Sequence, residues 1–161
     1  MNLRPLSLIA GCLLLLAACS QNPSTTGNAN ANGAGGNTAG AVVPGSAQDF
    51  QQNVGDRVFF DFDKSTIKPE GQQTLQRQAE WLRRYPNVTV TVEGHCDDRG
   101  TREYNLALGE RRATAVQRAL VALGVQANRV RTISYGKERP AVLGDNDAAW
   151  AQNRRGVTVI N

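Results

Sequence analysis

The sequence is short of the residues that do chemistry. It holds one histidine, one methionine and three cysteines in 161 residues. A Cys/His enzyme needs a thiolate and an imidazole oriented by a third group, and a structural zinc site needs four ligands at spacings such as C-x-x-C. The only histidine, His95, stands directly beside Cys96 in the stretch EGHCDDRG. Neighbours at a strand end point to opposite faces, which disfavours a mutual dyad, and no second imidazole exists to serve the thiol. No twelve-residue calcium loop is present either, so neither a metal nor a cofactor is expected. Long apolar runs are also missing. The one candidate, Leu6 to Ala18, has about 13 residues against the ~20 that span a bilayer. A dense Lys/Arg run with interleaved aromatics is absent as well. The 18 basic and 14 acidic residues give a net charge of +4 and a pI near 9.3, which favours an anionic partner. Because the signs alternate along the expected helices, nucleic-acid binding is not expected.

What is present starts at the N-terminus. MNLRPLSLIAGCLLLLAAC combines Arg4, the apolar run and small residues before Cys19, the layout of a secretory signal. Leu16-Ala17-Ala18-Cys19 resembles the lipobox of bacterial lipoproteins, which implies removal of residues 1–18 and lipidation of Cys19. In that sorting pattern an Asp after the Cys retains the chain in the inner membrane. Ser20 here implies the outer membrane, with the folded part facing the periplasm. Cys12 then leaves with the signal and Cys19 carries lipid, so Cys96 alone remains and an internal disulfide is excluded. From Ser20 to Gln48 the chain is uncharged and built from Asn, Gly, Ala, Ser and Thr. Its apolar content is too low to offset the entropy of ordering it. Residues 19–53 are therefore expected to form a flexible tether, spanning about 30 Å on average and about 110 Å at full stretch.

Residues 54–161 read as one domain. RVFFDF (Arg57 to Phe62) alternates, with Val58, Phe60 and Phe62 on one face, and reads as a strand. A helix follows, opened by Pro69 and Glu70 and closed by Pro86. VTVTVE (Val88 to Glu93) is a period-two strand leading into EGHCDDRG. The next helix carries an apolar stripe of Leu106, Gly109, Ala113, Val116, Leu120 and Leu123, with Gly124 as its C-cap. RVRTISY gives a third strand, a short helix is expected around Ala148 to Gln152, and VTVI (Val157 to Ile160) gives the last strand. The order βαβαβ(α)β predicts an α+β fold, an α/β sandwich of one mixed sheet with helices packed on one face.

Asp97 and Asp98 come just before the second helix, where their simplest role is to favour its positive end. On that helix Asn105 and Arg112 are seven residues apart, on nearly one face and roughly 10 Å from each other, with Arg112 off the apolar stripe. A carboxylate at the helix entrance and a guanidinium two turns on can bracket a zwitterion. A solvated surface arginine fits the same spacing.

The stretches VFFDFDKSTIKPEG, VEGHCDDRGTREYNLALGERRATAVQRAL and SYGKERPAVLGDNDAAWAQNRRGV, together with the lipobox, resemble the OmpA-like peptidoglycan-binding domain family from about Val58 to Ile160. The resemblance implies a non-enzymatic domain that binds the diaminopimelate-containing stem peptide of peptidoglycan. It further implies partners in the Tol system, notably the propeller protein TolB, which in this family competes for the same surface. On the matching positions Asp97 would take the diaminopimelate ammonium and Arg112 the carboxylate. Asn105 and Arg154 match further family positions, and Phe62, Asp63 and Cys96 match positions that line the pocket. The sequence departs from the pattern at Cys96, where Thr or Ala is usual, and at Gly156, which is expected to loosen the start of the last strand. Two other functions remain open here: an interaction hub whose main ligand is TolB, and a peptidoglycan cysteine peptidase with Cys96 as nucleophile.

Overall fold

The computed structural model describes residues 42–161. The expected signal at 1–18, the lipidation site Cys19 and most of the expected tether lie outside the described residues. Four strands, β1 (Arg57–Phe59), β2 (Val90–His95), β3 (Val130–Gly136) and β4 (Arg155–Ile160), form one sheet in the order β1-β4-β2-β3. β4 is antiparallel to both β1 and β2, whereas β2 and β3 run parallel. Helices α2 (Pro69–Arg84) and α3 (Arg102–Ala122) supply the crossovers, and α4 (Asp147–Asn153) leads into β4. This is the mixed-sheet α+β arrangement that the alternation of strands and helices predicts.

The core lies between the sheet and the two long helices. Val58, Val90, Val92 and Val130 from the sheet meet Leu75, Ala79 and Leu82 of α2 and Ala113, Val116 and Leu120 of α3. A hydrogen-bonded chain of polar groups crosses the same layer. Thr158 Oγ donates to Gln78 Oε1 at 2.9 Å, and Gln78 Nε2 donates to the Gly55 carbonyl at 2.7 Å. No polar side-chain atom of Gln78 is therefore left unpaired.

α3 is placed by its caps and by two glycines. Thr101 Oγ accepts from the Tyr104 amide at 3.2 Å, and the chain leaves through Gly124 at φ +94°. At the end of β2 a Cβ on Gly94 would overlap the Gly109 backbone, and one on Gly109 would stand 2.9 Å from the Gly94 carbonyl oxygen. Helix and strand therefore touch backbone to backbone, which brings the first turns of α3 down onto the C-terminal end of β2. The buried stripe of α3 is Asn105, Leu108, Gly109, Arg112, Ala113, Val116 and Leu120. Leu106, expected on it, is 51% exposed. The stripe is turned because two of its positions are held by polar side chains, which hydropathy alone assigns to solvent.

Three other expectations change. The folded part begins before Val54: Ser46 caps a short helix α1 (Ala47–Asp49) that runs into a π-helical turn (Phe50–Val54). Phe50 is fully buried edge-on to Trp81, with ring centroids 4.9 Å apart. Asp49 accepts from Asn53 Nδ2 (2.8 Å), Gly45 N (2.9 Å) and Trp81 Nε1 (2.8 Å), bonds that hold its pKa below the ordinary carboxylate value, Asn53 foremost. Second, Phe62 does not join Val58 and Phe60. β1 ends at Phe59, the chain turns through Asp63 at φ +57°, and the Phe62 ring is 57% exposed. Third, Gly156 does not loosen β4. It pairs with both Val58 and Gly94, and a Cβ there would meet Val116 at 3.1 Å, so glycine lets α3 approach the sheet.

The core and the whole sheet fall within Thr38–Asn161, one compact unit that carries the fold. Phe50→Ala is expected to destabilise this segment by about 3–5 kcal/mol, measured by chemical denaturation. A flexible tether through Asn53 would instead leave stability unchanged.

Candidate functional site

The C-terminal end of β2 and the first turns of α3 gather an unusual set of buried polar residues: His95, Cys96, Asp97, Asn105 and Arg112. A cavity of about 180 Å³ opens there, lined by Phe62, Asp63, Cys96, Asp97, Asn105 and Arg112, with Arg99, Gly100, Tyr104 and Leu108. Six of the seven binding residues expected from sequence thus line one cavity. Arg154, the seventh, reaches Asp97 without lining it. A larger cleft of about 410 Å³ near Arg102, Leu106 and Glu138 has no buried charge on its walls.

Arg112 is wholly buried, although its place off the apolar stripe suggested exposure. Nε donates to the Lys64 carbonyl (2.9 Å), Nη1 to the His95 carbonyl (2.8 Å) and Nη2 to the Asp61 carbonyl (3.1 Å). The guanidinium thereby ties the loop after β1 to the end of β2. Burial pulls its pKa below the usual arginine value, while the negative charges of Asp97 and Asp63 oppose that shift. These three bonds to carbonyls use one N–H on each nitrogen, leaving two of the guanidinium's five directed elsewhere, and the residue lines the cavity. Asn105 is also fixed inward: Nδ2 donates to the Arg99 carbonyl (2.8 Å) and the Thr101 carbonyl (3.0 Å), which sets the loop between β2 and α3.

Asp97 is 4% exposed. Its Oδ2 accepts from Arg99 Nη2 at 2.6 Å and from Arg154 Nη1 at 3.2 Å, and Arg154 Nε bonds the Phe60 carbonyl at 3.1 Å. Burial, the largest single influence, works against the charged carboxylate. The bonds from Arg99 and Arg154 together outweigh it and hold the pKa below the ordinary value. Above the carboxylate, the Arg99 guanidinium lies 4.0 Å from the Phe62 ring centroid and 4.1 Å from that of Trp150. Tyr104 donates its hydroxyl to Asp63 Oδ1 at the cavity rim. Asp98, by contrast, stays at the surface, and α3 is capped by Thr101 rather than by either aspartate.

His95 and Cys96 do not cooperate. His95 stacks on Tyr135 at 5.5 Å and places Nε2 3.4 Å from Glu93 Oε2, on the sheet face that Glu93 shares. Burial first, then the positive Arg155, drops its pKa to about 4. Cys96 Sγ donates to the Asn105 carbonyl at 3.3 Å, and burial pushes its pKa up to about 11, against the pull of Arg112. The thiol is protonated at neutral pH and is a small wall of the cavity, not a nucleophile.

The site therefore presents a buried carboxylate under a cation held between two aromatic rings, beside a buried guanidinium with spare donors. A family model for the OmpA family matches residues 59–154, which contain every residue of this cavity. The chain belongs to the OmpA family. Its curated relatives include a peptidoglycan-associated lipoprotein of Brucella melitensis, 54% identical over 98% of this chain and 92% of the relative. Another, from Agrobacterium fabrum and with the same name, is 56% identical over 91% of this chain and 82% of the relative. The crystal structure of the peptidoglycan-associated lipoprotein from Burkholderia pseudomallei superposes with a TM-score of 0.64 at 45% identity, covering 66% of this chain and 90% of that one. All three of these relatives are named as peptidoglycan-associated lipoproteins.

Sequence reasoning missed Arg99, Tyr104 and Trp150. Only Arg99 left a local trace, a basic residue two places after Asp97 in a loop otherwise acidic.

Two outcomes are expected. In the Thr38–Asn161 segment, Cys96 should react with a thiol reagent at pH 8 only after denaturation; fast native labelling would contradict its burial and high pKa. Arg112→Lys should lower stability by about 3–5 kcal/mol, since a single ammonium cannot serve three separate carbonyls.

Proposed function

We propose that this chain is an outer-membrane lipoprotein that grips the diaminopimelate-containing stem peptide of peptidoglycan without covalent chemistry, and so ties the membrane to the wall. The observation that carries the reading is Asp97: a buried, ionised carboxylate on the wall of a small cavity, in a chain whose relatives are named for association with peptidoglycan. Diaminopimelate offers the matching groups at its free end. Its ammonium would meet Asp97, and its carboxylate would meet the spare N–H groups of Arg112. Phe62, Asp63, Cys96 and Asn105 would shape the walls, and Arg154 would hold Asp97 in place.

In this reading residues 1–18 are removed, Cys19 is lipidated, and the tether runs to about Gly45, with an average reach of roughly 25–30 Å. Many copies in one membrane facing one continuous polymer gain avidity that a single site lacks. The Tol system, with TolB as a competitor for the surface around Asp97, is the proposed protein partner, in envelope integrity and outer-membrane constriction at division. A cysteine peptidase is disfavoured by a protonated Cys96 with no imidazole on its side of the sheet.

Sedimentation of Thr38–Asn161 with purified sacculi tests this. Wild-type protein should pellet, and Asp97→Asn should bind about ten- to a hundredfold more weakly with an unchanged circular dichroism spectrum. Since the bonds from Arg99 and Arg154 hold the Asp97 pKa below the ordinary carboxylate value of about 3.9, it stays charged on mild acidification, and binding should hold level from pH 7 to about 5. Undiminished pelleting of Asp97→Asn would remove the proposed site.

A further inference from the structure

The place that a ligand ammonium would take at Asp97 is already occupied, by the protein itself. Arg99 Nη2 is 2.6 Å from Asp97 Oδ2, and its guanidinium is sandwiched between Phe62 and Trp150. A cation between aromatic faces, with a carboxylate at its edge, is the arrangement by which proteins hold cationic ligands.

Several features distinguish this arginine from a permanent strut. Arg112 has every side-chain nitrogen bonded to a carbonyl, whereas Arg99 Nε is buried with no acceptor at all. That orphan donor would gain water if the side chain left. Asp97 keeps a second partner in Arg154, itself anchored on the Phe60 carbonyl, so the carboxylate is not stranded by the departure. The Arg99 side chain is about one-third exposed, at 34%, which gives it a way out. The backbone, in contrast, is pinned. Asn105 Nδ2 holds the Arg99 carbonyl, while Lys137 Nζ holds those of Asp98 (3.0 Å) and Gly100 (2.7 Å). Exchange thus needs only side-chain rotation, with the loop unmoved.

We propose that Arg99 is an internal stand-in for the ligand's cationic group: in the free protein it fills the slot formed by Phe62, Trp150 and Asp97, and the ligand enters by displacing it. This rests on the diaminopimelate reading of Asp97 and adds to it two residues that set affinity, Arg99 as competitor and Trp150 as a wall of the ligand site. The apparent affinity is the intrinsic one reduced by the fraction of time the slot is open. With the slot open one time in ten, removing the competitor tightens binding about tenfold.

The test titrates Thr38–Asn161 and its Arg99→Gln variant with a synthetic stem peptide ending in diaminopimelate, by calorimetry. In parallel, the ¹⁵N–¹H signal of Arg99 Nε is followed in the wild type. Arg99→Gln is expected to bind about tenfold more tightly. The Nε signal, shifted upfield by the two rings in the free protein, is expected to move to the position of a solvated arginine at saturation. Equal or weaker binding by the variant, or a ring-shifted signal that persists at saturation, overturns the stand-in while leaving the wild type's peptide binding intact. Should neither protein bind the peptide, the peptidoglycan reading fails and the stand-in fails with it. If the variant does not fold, the wild-type signal alone decides.

Discussion

Three carbonyl groups from two distant parts of the chain converge on the guanidinium of Arg112, and the geometry of the cavity follows from that convergence. Asp61 and Lys64 belong to the loop after β1, and His95 ends β2. The same loop carries Phe62 and Asp63, and the residues after His95 are Cys96 and Asp97, so opposite walls of the cavity are held by one side chain. Burying a cation is costly unless its hydrogen bonds are made, and here carbonyl dipoles and the nearby Asp97 and Asp63 offset that cost. The contact between Gly94 and Gly109 is what allows α3 to sit close enough for Arg112 to reach.

Around this fixed centre the side chains differ in how firmly they are held. Asn105 and Arg112 are enclosed and bonded to backbone. Phe62 is more than half exposed, and Arg99 is held by a carboxylate and two ring faces with one donor left over. Recognition of a small charged group needs both qualities. On the proposed reading the fixed carboxylate defines where the ligand's charge goes, and Arg99 is the one of its two partners that gives way.

The elements were legible wherever local pattern and tertiary burial agree. β2 alternates strictly and α3 carries a threonine cap and a terminal glycine, and both appear within two residues of their expected bounds. The expected binding residues also converge, because the family resemblance placed them. The burial of Arg112 was not legible. Hydropathy counts arginine as solvent-facing, and its three acceptors lie 17, 48 and 51 residues away along the chain. Phe50 was hidden differently: it closes a stretch of weakly structured composition, and only Trp81, with Asp49 bonded to its indole, makes a helical turn of it. Arg99 depends on two rings, Phe62 from the loop after β1 and Trp150 from α4, so no window of sequence contains the slot.

The N-terminal turn from Ser46 to Val54 also determines where a pull on the start of the domain would be felt. β1 pairs with β4 through only three residues at the edge of the sheet, so traction applied directly to Arg57 would peel that strand away one hydrogen bond at a time. Traction from upstream of Gly45 instead arrives at Asp49 and Phe50, which are bonded to and packed against Trp81 in the middle of the fold. Force applied there is passed to the body of α2 before it can reach the three-residue β1–β4 pairing.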